Sequence, residues 1–166
     1  VLIEDDRIRA VSRTPLAVAD ARNVDASGLA LAPGFIDVHA HSDLSILAEP
    51  EAVGKISQGI TSELSGNCGL SAFPIRTVEV REHLEKLYRT YGVALTWRDF
   101  SSYADAVTAA RPAINVGFLC GHNTLRANVF GYENTSGTSS GWARERDLLA
   151  EMLEQGALGF STGLLY

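Results

Sequence analysis

From Pro33 onward, strand-like and helix-like runs alternate, and this alternation constrains the fold more than any other feature of the chain. Strand-like runs cover roughly 35–41, 60–66, 114–120 and 158–162, and helix-like runs cover roughly 45–58, 76–91, 98–110 and 142–155. Parallel strands cannot be joined by tight turns, so each needs a crossover, and this order predicts a parallel sheet covered by helices. The last helical run shows the pattern. Leu148, Leu149, Met152 and Leu153 form one apolar stripe, with Arg144, Glu145, Arg146, Glu151 and Glu154 mostly off it. Thr138-Ser139-Ser140-Gly141 offers N-caps before it, and Gly156 stands where a helix end favours positive φ.

Residues 1–31 read differently. Val1-Leu2-Ile3 and Arg7-Ile8-Arg9-Ala10-Val11 flank the turn-forming pair Asp5-Asp6. The stretch from Asn23 to Leu31 is expected to be a third β-piece turning at Ser27-Gly28. The expected organisation is therefore a β-rich unit over 1–31 and an α/β unit over 32–166.

The first strand of the α/β unit suggests how its sheet is arranged. Strict alternation would turn Ile36, Val38 and Ala40 one way and Phe35, Asp37, His39 and His41 the other. An open doubly wound sheet is apolar on both faces. A polar inner face rising to a C-terminal mouth predicts a barrel. Four β/α units are half of an eightfold barrel, which takes about 250 residues. The chain starts at Val1 within a strand pattern and stops just after the fourth strand, so it is expected to be a segment of a longer chain, cut at both ends.

Composition excludes several classes. The net charge of -6 argues against a nucleic-acid partner, because phosphate binding needs a basic patch. No run of about 18 apolar residues suggests a membrane span, and no secretory signal is visible. Two cysteines are too few for a disulfide framework, so a reducing, cytoplasmic setting is expected.

The chemistry centres on His39 and His41. Two imidazoles one residue apart on a strand aim at one point and make half of a metal site. As hydrogen-bonded core residues, two adjacent imidazoles would need two separate buried partners, which is a poor alternative. Cys68 sits between Gly66-Asn67 and Gly69 at the end of the second strand. It is either a zinc-binding thiolate or a small buried hydrophobe. Cys120, inside an apolar strand, reads as the latter. His122, after the third strand, either lines the pocket or caps its loop. His83 reads as a surface residue of a charged helix. The only lysines are Lys55 and Lys86, both in helical runs. The fourth strand ends in Ser161-Thr162-Gly163 with no lysine to bridge two metals, leaving Cys68 as the candidate anchoring anion.

The run Ala32-Pro33-Gly34-Phe35-Ile36-Asp37-Val38-His39-Ala40-His41-Ser42-Asp43 resembles the first barrel strand of the amidohydrolase superfamily. Gly66-Asn67-Cys68-Gly69, Gly121-His122-Asn123-Thr124-Leu125-Arg126 and the segment from Gly156 to Tyr166 narrow the resemblance to the N-acyl-D-amino-acid deacylases, or D-aminoacylases. The resemblance implies a small β-sandwich, to which 1–31 would belong, beside a zinc-dependent (β/α)8 TIM-type barrel. It implies hydrolysis of the amide bond of small-molecule N-acyl-D-amino acids to a carboxylate and a D-amino acid. Cys68 would be a ligand of a tightly held zinc, with His39 and His41 at a second, weaker metal position. Tyr166 would help hold the substrate or polarise its carbonyl. Two further zinc histidines and a catalytic aspartate are expected beyond Tyr166, and no catalytic residue within the chain. A cyclic amidase of the hydantoinase or dihydroorotase kind is the alternative, as is an inactive metal-binding fragment. One departure stands out: relatives carry an aliphatic run where this chain has Thr61-Ser62-Glu63-Leu64-Ser65. Glu63 is therefore either paired with a neighbour or a mark of looser packing.

Overall fold

A computed structural model describes residues 1–133 and 136–163. The chain divides into two compact units, Val1–Pro33 and Gly34–Tyr166. In the first, β1 (Leu2–Glu4) and β2 (Arg7–Ala10) pair antiparallel across Asp5-Asp6, with Asp5 in the left-handed region at φ 54°. The expected turn at Ser27-Gly28 is present, closed by the Asp25 carboxylate, which accepts from Ser27 N–H at 2.9 Å. The expected strand around it is not: among the described residues no strand pairs with 23–31, which is exposed and irregular.

The second unit holds a four-stranded parallel sheet of β3 (Phe35–Asp37), β4 (Ile60–Ser65), β5 (Asn115–Gly121) and β6 (Gly159–Ser161). The strands lie side by side in chain order. Sequential order with helical crossovers is the topology of a curling, barrel-type sheet, whereas a doubly wound sheet reverses direction at a switch point. The helices follow the predicted positions with informative differences. The first crossover is broken into α1 (Ser45–Ala48) and α2 (Val53–Ile56), because Pro50 interrupts the run and Ala52 takes a left-handed conformation. The second crossover contains α3 (Val78–Leu87) and α4 (Phe100–Ala110), the latter closed by a capping box between Asp99 and Ser102. An additional helix, α5 (His122–Phe130), begins where a loop was expected. Its helical amphipathicity is hidden because it buries Thr124 and Asn128, whose side chains hydrogen-bond into the segment 71–76.

In α6 (Ser139–Glu154) three residues of the expected stripe, Leu148, Leu149 and Met152, pack on the core. Glu145 and Met152 are buried, while Leu153 is 41% exposed. The helix ends in a Schellman arrangement, with Gly156 N–H on Leu153 O and Ala157 N–H on Met152 O, both 3.0 Å. Between helices and sheet lies one aromatic core. Phe73, Trp97, Tyr103 and Phe118 meet at ring-centroid distances of 4.9–5.2 Å. Its polar edges are satisfied: Trp97 Nε1–H donates to Ala72 O at 2.7 Å and Tyr103 O–H to Asp43 O at 2.6 Å. Cys120 is fully buried here, and burial pushes its thiol up to about 12, so it stays protonated and apolar.

The register corrects the expected faces of the first strand. Asp37 lies opposite Glu63, Glu63 opposite Val116, and Ser65 opposite the core residue Phe118. Asp37 and Glu63 therefore face the helices, while Ile36 and Val38 are 68% and 65% exposed. Strict alternation ends at Asp37, where the strand stops and the chain bends through Val38 and His39.

Candidate metal centre

The bend after β3 carries His39 and His41 to the carboxyl edge of the sheet. Ala40 N–H still pairs with Leu64 O at 3.0 Å, so the two imidazoles flank a residue that remains tied to β4. Their rings lie 5.6 Å apart. From the end of β4, a turn through Gly66, Asn67, Cys68 and Gly69 returns the chain towards them. Gly66, Cys68 and Gly69 all take positive φ, at 81°, 55° and 80°. Glycine is required at Gly66, where a Cβ would fall 2.1 Å from the Leu119 carbonyl oxygen. Cys68 holds a left-handed conformation that a β-carbon disfavours, a local strain that the surrounding contacts must hold in place.

The result is convergence. Cys68 Sγ lies 3.3 Å from His39 Nε2, and the donor atoms of His39, His41 and Cys68 all fall within 4.8 Å of one another. A zinc ion at about 2.0 Å from nitrogen and about 2.3 Å from sulfur in tetrahedral geometry separates two such donors by about 3.5 Å. The Cys68–His39 pair matches that spacing, the His41 donor lies within 4.8 Å of both, and two imidazoles with a thiolate suit zinc rather than the oxygen-seeking calcium or magnesium. The three donors reach this point by different supports. Asn67 Nδ2 donates to Ala40 O at 3.1 Å and to Leu64 O at 2.8 Å, linking the turn to the residue between the histidines. Ser161 Oγ accepts from Gly69 N–H at 3.0 Å and donates to Gly66 O, bracing both ends of the turn from β6.

Charge lies beneath the histidines. Lys55 Nζ, from α2, binds Asp37 Oδ2 and lies 3.1 Å from Glu63 Oε2. Hydrogen bonding from Lys55, then from His39 N–H, holds the Asp37 carboxyl below the ordinary aspartate range. Partial burial lowers the Lys55 ammonium, but Asp37 and Glu63 outweigh it and hold it above the ordinary lysine value. Glu63 is thus paired, which answers the question raised by its unusual place on a barrel strand. Asp43 is fully buried, and burial pushes its carboxyl up to about 7 against the Gly66 N–H that donates to it.

The remaining predicted residues lie elsewhere. His122 opens α5 and is not among the converging donors. Its Nδ1 lies 3.1 Å from Thr162 Oγ1 and its Nε2 3.2 Å from Glu145 Oε1. Tyr166 lies outside the described residues. His83 is exposed on α3, stacked on Tyr132 at 4.1 Å. Asn67, Ser161, Lys55 and Asp37 were not singled out as site residues by the sequence reading. The glycine brackets around Asn67 and Ser161, and the scarcity of lysine, were the available signals.

The parallel β/α sheet thus gathers imidazole and thiolate donors at its carboxyl edge, the end at which barrel folds carry their sites. Residues 22–166 match the amidohydrolase family, and the chain belongs to that family. It is 39% identical over 164 residues to a D-aminoacylase of Alcaligenes xylosoxydans xylosoxydans, covering 99% of this chain and 33% of that protein. Among solved structures it is similar to a D-aminoacylase studied for its binuclear metal centre, at TM-score 0.70 and 36% identity. It is also similar to the N-acyl-D-glutamate deacylase of Bordetella bronchiseptica, solved with zinc and a phosphonate inhibitor that mimics the tetrahedral intermediate, at TM-score 0.68 and 40% identity. Each of these alignments covers 81% of this chain and 28% of the solved one. The chain spans about a third of the length of the curated relatives it matches.

Proposed function

We propose that this chain forms the first half of a (β/α)8 barrel, with residues 1–31 belonging to a small β-sandwich, in a zinc-dependent N-acyl-D-amino-acid deacylase. The reaction hydrolyses the amide bond to a carboxylate and a free D-amino acid. The observation that carries this reading is the convergence of Cys68 on His39, 3.3 Å between donor atoms from two strand ends.

Cys68 would hold the tightly bound ion and, 3.3 Å from His39 Nε2, also border a neighbouring, weaker position held by His39 and His41. When bound, zinc supplies Lewis acidity toward the amide carbonyl and a means of activating water near neutral pH. The chain's own residues have separate tasks. The Cys68 turn and the bend at His39 fix the donors before any substrate arrives, so little reorganisation is left for the reaction. His122 and Tyr166 are assigned to substrate binding, His122 with its ring oriented by Glu145 and Thr162. The converging donors include no carboxylate among the described residues, so proton transfer to the leaving amine is not assigned to them. The substrate partner is a small molecule, and the setting is cytoplasmic. Among the described residues no helix is long and apolar enough to cross a membrane. A cyclic amidase with a lysine bridging two metals is disfavoured, because β6 runs into Ser161-Thr162-Gly163.

The test is Cys68→Ala in the complete polypeptide that carries this chain, measured for zinc content and for activity on a panel of N-acetyl-D-amino acids. Zinc should fall well below one equivalent and the rate by roughly 100-fold or more. Unchanged zinc with unchanged rate overturns the assignment.

A further inference from the structure

The histidine segment is gripped at both ends from the helix side, and the grip converges on one lysine. On the near end, Asp37 Oδ1 accepts His39 N–H at 3.1 Å, while Asp37 Oδ2 binds Lys55 Nζ. On the far end, Ser65 Oγ accepts Ser42 N–H at 2.9 Å, and Ser42 Oγ donates to Glu63 Oε2 at 3.2 Å. Glu63 in turn lies 3.1 Å from the same Lys55 Nζ. His39-Ala40-His41 is therefore bracketed by the His39 amide, held by Asp37, and by Ser42, whose amide is held by the neutral Ser65 hydroxyl and whose own hydroxyl is held by Glu63; Lys55 balances the charge of both carboxylates.

We propose that Lys55 is a positioning residue for the metal donors, setting the orientation of His39 and His41 through Asp37 and Glu63. The proposal rests on the reading of His39, His41 and Cys68 as metal ligands. The Glu63 side chain has no exposure to solvent, and a buried carboxylate deprived of its counter-charge must move, protonate or draw in water. Each of those responses disturbs Ser42, and with it His41. Loss of Lys55 likewise frees Asp37 to rotate away from His39 N–H. Lys55 is not among the converging donors, so its influence is transmitted through the His39 amide and the Ser42 side chain, in the manner of the outer partners that orient metal-bound histidines.

Cobalt(II) titration of the metal-free complete polypeptide separates this role from plain stabilisation. Affinity is read by chelator competition, donor geometry by the ligand-field bands, and metal-free stability by thermal melting followed by circular dichroism. Lys55→Met should weaken cobalt binding by about tenfold to 100-fold and shift the ligand-field bands. Lys55→Arg should restore much of both. Ser42→Ala, which removes only the hydroxyl link to Glu63, should weaken binding in the same direction by less. The proposal is overturned if Lys55→Met and Ser42→Ala bind cobalt with wild-type affinity and spectrum, even where melting temperature falls. If Lys55→Met does not fold, Ser42→Ala decides alone. The variant Cys68→Ala is the control for the underlying reading: its failure to weaken cobalt binding removes the site and this proposal together. Lost binding in Cys68→Ala beside unchanged binding in the Lys55 and Ser42 variants overturns the proposal only.

Discussion

The two sides of the metal centre are held by different physics. The His39-Ala40-His41 bend is pinned from below by ions, with Lys55 shared between Asp37 and Glu63. The Cys68 turn is held mainly by neutral groups and by shape: the Asn67 amide, the Ser161 hydroxyl, and glycines with no room for a side chain, with the buried Asp43 carboxyl accepting from Gly66 N–H as the exception. Ions act over several ångströms and tolerate small movements. Close backbone packing does not, because repulsion rises steeply within a few tenths of an ångström. The thiolate side should therefore be the less forgiving of the two, and the imidazole side the more adjustable.

The largest expected effect is at the turn. Gly66→Ala places a Cβ against Leu119 O in a residue held at positive φ, and should destabilise the protein by about 4 kcal/mol or more, measured by urea unfolding. A loss below about 1 kcal/mol would mean that the turn yields as readily as the ionic side. Next is Ser161→Ala, which strips two backbone groups of one shared partner. It should cost about 2 kcal/mol and alter the thiolate-to-cobalt charge-transfer band while sparing the bands governed by the histidines. An equal change in both would erase the distinction between the sides.

The smallest effect is a control away from both. Asp99 caps α4, accepting Ser102 N–H at 3.0 Å, and its hydrogen bonds to Ser102 hold the carboxyl below its usual range. Asp99→Ala should cost about 1 kcal/mol at pH 7 with metal affinity unchanged. Because the folded value is depressed, the cap's contribution is present above the unfolded value of 3.8 and lost as pH falls through the folded one. Melting curves of wild type and variant should therefore converge in acid. If metal affinity fell as well, the centre would be coupled to the helix layer as a whole and not through its own supports.

Much of the donor set was legible in the sequence because it obeys local rules. The spacing of His39 and His41 and the glycines around Cys68 are properties of short segments. The expected faces failed where a local rule stopped applying. Alternation assigned Asp37 to the interior beside the histidines, but β3 ends at Asp37, and the bend after it lets His39 reach Cys68 while Asp37 faces Lys55. The helix α5 was missed for the opposite reason: its buried residues Thr124 and Asn128 are polar, and only their hydrogen-bond partners, some 50 residues away in sequence, make them core residues. The expected stripe of α6 omitted Glu145, which is buried opposite His122, a pairing invisible within the helix itself.

What the sequence determined by itself was the order of strands and crossovers, the helix end at Gly156, and which imidazoles and thiol stand at strand ends, since each follows from chain chemistry over a few residues. Only the tertiary structure decided that Cys68 meets His39, that Glu63 has a partner, and that Ser161 braces a turn 95 residues earlier. These outcomes depend on register between parallel strands, and register is set by packing across the whole sheet and not by any one segment.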